Sequence, residues 1–475
     1  MKDLTRGRPI KLIAGFALPI LLGNLFQQAY NLADLIIIGQ NLGNDSIAAV
    51  GSVTPLVTLM FNIIIGLVTG FAIIVARNFG AEDYDEMRRT IARMMVFSAA
   101  LTLVITVAVT VFIEPLLNLL ALEKSGTIFG EAKDYLFIVG LGLAATLAYN
   151  LEAAVLRAVG DSVIPLIILM ISTFLNIGFD LLFVAVLGMG VTGAALATVS
   201  AQVISAVVCL IYLIKRRPML LVKKRDFVFT AKSSKELLSA GAGMALMYSI
   251  VDLGTVVLQN SINGFGDGII AAHTAARKLF SLIVMPLSAV CATLITYCSQ
   301  NLGAGKLPRI KKGIRDGLLI MYVWAGIAIA LIYLFGDALA GILIADADSA
   351  EGADIINTTV LYLRWNVPFF LTLVILLGLR SSLQGLGKSS VPIICSIMEL
   401  SWKIITVLVM VPMFGGKNGT VGGTEEQVGG YFGIILSEPI IWTVCAIFIG
   451  IIAMIELRRL DKNLDNKERT EKDND

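Results

Sequence analysis

Six side chains that can carry charge stand inside long apolar runs: Asp34, Asp180, Asp252, Glu399, Lys403 and Glu438. A charge withdrawn from water is costly, so an ionisable group in such a run is a functional candidate by default. Asn176 and Asp180, in FLNIGFDLLF, are spaced i, i+4 and share one helix face. A carboxylate beside an amide oxygen suits a hard cation such as Na⁺, by analogy with the oxygen ligands of Ca²⁺ and Mg²⁺. A carboxyl group in a low dielectric can equally carry a proton. These residue types serve either ion. Asp34 lies toward the end of its run, in QQAYNLADLIIIG, with Gln27, Gln28, Tyr30 and Asn31 within two turns, so that helix has one wet region. The plainer reading of Asp34 and Asp180 is that they lie near span ends and face water. Asp252 sits mid-run in SIVDLGTVV, as a transport group or a structural one. Glu399 and Lys403 are spaced i, i+4 and are expected to pair across a turn. Such a pair either takes part in transport or only holds two helices together. Glu438 precedes Pro439 and is given little functional weight.

Other chemistry finds no footing. The single histidine, His273, excludes a histidine metal centre and a relay of several histidines; it reads as a helix-end residue. Cys209, Cys291, Cys298, Cys395 and Cys445 each lie in apolar sequence, without metal-ligand spacing, and read as small buried hydrophobes. GAGK (303–306) and LGKSS (386–390) look like phosphate loops, but neither satisfies G-x-x-x-x-G-K-[ST]. No serine, cysteine or histidine constellation supports hydrolysis, so no catalytic residue is assigned. The chain is expected not to be an enzyme and to need no resident cofactor or ATPase subunit. Met244, Met247, Met285, Tyr248, Phe280, Tyr297 and Trp402 suit either the wall of an adaptable cavity or plain packing.

The elements that must position these residues follow from composition. Of 475 residues, 57% are hydrophobic and 15% charged, with a mean hydropathy of +0.85. A soluble protein carries about a quarter charged residues. This chain is therefore a polytopic all-α membrane protein, not a soluble enzyme or a nucleic-acid binder. At roughly 20 apolar residues per crossing, it can supply about twelve spans. They are placed at 12–38, 49–76, 91–117, 133–156, 163–187, 190–214, 236–260, 269–299, 314–336, 354–380, 390–413 and 430–457. The basic amino terminus runs into an apolar stretch longer than a signal peptide, without an A-x-A-like site, and is read as an uncleaved first span. Alternate loops and the two ends hold 30 of the 37 basic residues, while the opposite loops hold only Lys124, Lys133, Lys417 and the acidic Asp346–Asp348. Positive charge favours the cytoplasm, so both termini are expected there. Pro19, Pro55, Pro286, Pro368, Pro392 and Pro439 fall within spans as kinks or hinges.

The chain repeats itself. ARNFGAEDYDEMRRTI (76–91) resembles SQNLGAGKLPRIKKGI (299–314), and LRAVGDSVIP (156–165) resembles LQGLGKSSVP (383–392). GVTG (190–193) resembles GYFG (430–433), and Arg216-Arg217 matches Arg458-Arg459. Two six-span halves of like orientation follow, related by a pseudo-two-fold axis along the membrane normal, as in some secondary transporters. The expected organisation is an amino-terminal lobe over 1–214, a basic cytoplasmic linker over 215–235, a carboxy-terminal lobe over 236–457 and a charged tail over 458–475. Two lobes that rock give alternating access. A channel or a membrane enzyme has less need for this plan.

Taken together, YNLADLIIIGQNLGNDSIAAVG (30–51), GLVTGFAIIVARNFGAEDYDEMRR (66–89), VLRAVGDSVIPL (155–166) and NIGFDLLF (176–183) resemble the multidrug and toxic compound extrusion (MATE) transporters of the MOP flippase superfamily. The likeness covers residues 8 to 460 and is clearest in the first half. It implies antiport: Na⁺ or H⁺ enters while an organic, cationic, amphiphilic compound leaves. The family's amino-lobe coupling site maps by position onto Asp34, Asn176, Asp180 and Thr198, which would also hold any Na⁺. Gln27, Tyr30, Asn31, Asp252, Glu399 and Lys403 remain substrate or coupling candidates. An acidic residue that some members carry in the tenth span has no counterpart here. The resemblance also admits a lipid-linked oligosaccharide flippase, which would want a more basic cleft. The expected setting is the plasma membrane of a bacterium or archaeon, with a monomeric chain among lipids.

Overall fold

The computed structural model describes residues 3–119, 126–344 and 349–474, apart from the side chains of 35, 44 and 461–474. Lys124 and Asp346–Asp348 lie outside the described residues. Among the described residues, twelve helices are long and apolar enough to cross a membrane. They are α1 Pro9–Leu42, α2 Asp45–Gly80, α3 Tyr84–Val111, α4 Thr127–Ala158, α5 Val163–Val186, α6 Gly190–Arg216, α7 Ala231–Ile262, α8 Asp267–Gly303, α9 Leu307–Gly341, α10 Ala350–Gly385, α11 Ser390–Met413 and α12 Gly430–Leu460. Each expected span has its helix. Helices are the natural solution because hydrocarbon offers backbone N–H and C=O groups no other partner.

Most helices outrun their apolar cores, and α3 shows why. Its first two turns, YDEMRR, are hydrophilic, yet Asp83 caps them by accepting a hydrogen bond from the Glu86 amide. Arg88 pairs with Asp85, and Arg93 pairs with Glu86 at 2.8 Å. These contacts extend the helix into water. At its far end α3 stops at Phe112, and a separate short helix, Ile113–Leu119, follows. The expected single span over 91–117 is thus shifted and broken. In α12 the helical backbone likewise runs on to Asn474, through the expected tail.

The turns echo the repeat. Gly43 and Gly266 take φ of 86° and 95° before α2 and α8, and Gly160 and Gly387 take 84° and 77° before α5 and α11. Only glycine visits such angles freely. The α2–α3 turn puts Glu82 at φ 59°, where the α8–α9 turn has Gly305 at 67°. A second shared irregularity is π-helical: Leu181–Val186 closes α5 and Thr406–Met410 lies in α11. The Leu187 amide reaches Leu182 O, five residues back, at 2.9 Å.

By internal contacts the chain divides into two units, 1–6 with 18–249 and 7–17 with 250–475. The divisions fall inside α1 and α7, not in the 215–235 segment. In the first unit α4 packs against α2, α3 and α6. The start of α7 lies close on α2, where Gly66 and Gly70 face Ala245 and Ala240. An added Cβ would collide with backbone at either glycine. In the second unit α10 takes the place of α4 and packs against α8, α9 and α12. Residues 215–235 are not a loose tether. Leu220 and Asp226 are buried, and Arg93 of α3 donates to Val228 O at 2.9 Å.

Candidate functional site

The first unit gathers Asp34 and Tyr30 from α1, Asp180 and Asn176 from α5, and Thr198 from α6. Tyr30 Oη and Thr198 Oγ1 lie 3.1 Å apart, so Thr198 meets the tyrosine rather than a carboxylate. Asp180 is 0% exposed and Asn176 1%, so Asp180 does not simply face water. Asp34 stands beside Asp180, within reach of a shared proton. Among the described residues, Asp34 Oδ1, both Asp180 carboxyl oxygens and both Asn176 amide atoms are buried without a hydrogen-bond partner. Buried polar atoms are ordinarily satisfied. Two neighbouring carboxylates cannot both stay ionised out of water without a proton or a cation between them. The Asn176 amide oxygen lies one turn away and can complete an oxygen set for a hard cation. Donor chemistry and unsatisfied atoms both fit Na⁺ or H⁺.

Tyr135 of α4 faces the charges of Asp34 and Asp180 as well. No spacing in the sequence marks it, because a lone tyrosine in a span is indistinguishable from packing. Gln27 and Asn31 are exposed. The π segment begins directly after Asp180, so the helix backbone is widened at this point, a placement common at functional sites.

The second unit is arranged differently, with Glu399 and Glu438 each facing a base. Glu399 does not pair with Lys403 across the turn. Arg380 of α10 reaches it at 3.1 Å and also donates to Ser396 Oγ. An arginine from a neighbouring helix offers a planar fork, which outcompetes a flexible lysine on the same helix. Lys403 instead lies against Gly254 of α7 and stands among the charges of Glu438, Glu399, Arg277 and Asp252. Glu438, given little weight from sequence, is the centre of a network. Arg277 of α8 pairs with it at 2.7 Å, and Tyr362 of α10 donates to it at 2.8 Å. His273 lies near the start of α8, as expected, but buried, with Nδ1 3.0 Å from Tyr431 Oη. The network joins α8, α10 and α12. Charge spacing along one helix could not reveal it, because its members lie 76 to 161 residues apart.

The suggested cavity wall is mostly packing: Met244, Met247, Met285, Phe280 and Tyr297 are buried. Trp402 donates its indole N–H to Ser437 O at 3.0 Å, and Phe280 stacks on Trp442. Cys209, Cys298, Cys395 and Cys445 are buried and unpaired in disulfides, with Cys291 half-buried.

The chain is similar to the "Probable multidrug resistance protein YoeA" of Bacillus subtilis, 27% identical over 344 residues, covering 70% of this chain and 73% of that protein. It is also similar to the "FAD transporter" of Shewanella oneidensis, 24% identical over 345 residues, covering 72% and 76%. In structure it superposes on an outward-facing multidrug resistance MATE family transporter of the MOP superfamily with a TM-score of 0.84, at 23% identity over 96% of this chain and 98% of that one. That likeness shows a shared fold. The MatE family model matches residues 19–182 and 243–420, one stretch in each half of the repeat and most of the chain together. The chain therefore belongs to the MatE family of membrane transporters.

Proposed function

We propose that this chain exports organic, cationic, amphiphilic compounds in exchange for Na⁺ or H⁺, by alternating access between its two six-helix halves. The observation that carries this reading is the Asp34–Asp180 pair. In the second unit Glu438 and Glu399 are each answered by an arginine. Asp34 and Asp180 are answered by each other, with Asn176 beside them unsatisfied. Such a pair takes a cation from the outer solution and releases it inward when the units rock. Drug and ion then compete through a shift in the population of the two states. Asn176 and Asp180 would be the Na⁺ ligands, with Asp34 sharing the charge and Tyr30 and Thr198 closing the site. Asp252 and Lys403 belong to the second unit's charge network and serve it structurally. The relatives named for multidrug resistance support the cargo class.

The setting in this reading is the plasma membrane of a bacterium or archaeon, both termini cytoplasmic, with the chain working as a monomer. It needs no ATPase subunit and no cofactor beyond the coupling ion. Ethidium efflux from pump-deficient cells, with and without Na⁺ at fixed pH and with a protonophore, tests the proposal. Na⁺-dependent efflux or protonophore-sensitive efflux identifies the ion. Equal efflux under all conditions removes the coupling.

An anionic cargo is favoured by the similarity to a FAD transporter. A lipid-linked oligosaccharide flippase would likewise need free basic groups for pyrophosphate. Arg277 and Arg380 are held by carboxylates of their own unit, which argues for cations. FAD secreted by cells expressing the chain, without ethidium efflux, would reverse that choice.

A further inference from the structure

We infer that the segment 215–235 is a membrane-surface anchor that binds anionic phospholipid headgroups. Three neighbouring side chains on it, Phe227, Val228 and Phe229, are 44%, 41% and 44% exposed. A water-exposed loop has no use for such a run, and this one is held in place. Arg93 fixes the Val228 carbonyl at 2.9 Å, the Val228 amide bonds to Asp226 O at 2.8 Å, and the Phe229 ring meets Phe97 of α3 edge-on at 5.9 Å.

Phe97 gives the depth. α3 is hydrophilic from Tyr84 to Arg93 and apolar from Met94 onward. Met95 and Val96 are exposed, as lipid-facing residues must be. Phe229 beside Phe97 therefore lies where hydrocarbon begins, and aromatic rings favour that boundary. One turn of chain earlier, Lys223, Lys224 and Arg225 are exposed. The acidic residue among them, Asp226, is buried, with Arg88 3.8 Å and the largely exposed Arg225 3.9 Å away, and its carboxylate also accepts from the Lys223 amide at 2.8 Å. The outward face is thus basic above and apolar below. That pattern matches an anionic headgroup over its acyl chain. Each basic residue near a membrane surface is worth roughly a fivefold gain in affinity for anionic lipid.

The full chain carrying Val228→Cys, labelled with an environment-sensitive fluorophore, tests this in nanodiscs. Brominated phosphatidylglycerol and brominated phosphatidylcholine serve as quenchers at equal mole fraction. Quenching by the anionic lipid should be at least about fivefold the more effective. Lys223→Gln, Lys224→Gln and Arg225→Gln together should erase that preference while quenching itself persists. Equal quenching by the two lipids in the unaltered segment would overturn the headgroup assignment, and no quenching by either would place the segment in water. Nanodiscs offer the same lipid on both faces, so the result is independent of chain orientation and of what is transported.

Discussion

Asp180→Asn keeps the size and the polarity of the side chain and removes only its charge. Asp180 is buried and unsatisfied beside Asp34, so a neutral amide should fold at least as well as a carboxylate. Coupled efflux should fall to background while thermal stability in detergent is unchanged or higher. Full efflux from a well-expressed Asp180→Asn protein would remove the residue from the coupling site. Glu438→Gln should do the reverse and cost stability. It strands Arg277, whose side chain is 37% exposed against 12% for Glu438. A fully buried pair broken on one side loses ~3–5 kcal/mol, and water at Arg277 should reduce that to about 2 kcal/mol. Adding Arg277→Gln should recover much of the loss, read as the denaturation midpoint of the double variant. Asp34, Asn176 and Asp180 were legible in the sequence because a charge in an apolar run is conspicuous by itself. The network around Glu438 was not, because its meaning depends on which residues three other helices present.

At the scale of elements, span number and order could be read from hydropathy, since bilayer thickness sets helix length. The π segments could not, because widening by one residue leaves no trace in composition. Leu181–Val186 widens the helix directly after Asp180. Deleting one residue from it would restore α-helical winding and close the widened turn beside Asp180. Transport should be lost while membrane insertion is retained, as measured by efflux and by yield of monodisperse protein. Retained efflux would make the π segment incidental. The repeated turns allow a second test. Gly305→Ala at φ 67° should cost about 1 kcal/mol. Glu82→Gly at φ 59° relieves the same strain but adds freedom to the unfolded chain, so its net effect should stay within about 0.5 kcal/mol. Denaturation midpoints of the two variants decide it.

At the scale of the molecule, the two halves share helix order and turn geometry but not charge. Among the described residues, the first half holds the Asp34–Asp180 pair without a base, and the second answers Glu399 and Glu438 with arginines. Both halves keep the same frame, and in the proposed function cation coupling belongs to one of them. The repeat made this frame visible in the sequence. The division of α1 and α7 between units was hidden, because it rests on packing such as Gly70 on Ala240. In the proposed function, export is driven by a cation taken up at Asp34 and Asp180. The most direct measurement is ethidium transport in proteoliposomes under an imposed Na⁺ or pH gradient, for the unaltered chain and for Asp180→Asn. Transport against ethidium's own gradient only when the cation gradient is present, and none from Asp180→Asn, is the expected result. Uphill transport that survives in Asp180→Asn would show that the cation is taken up elsewhere.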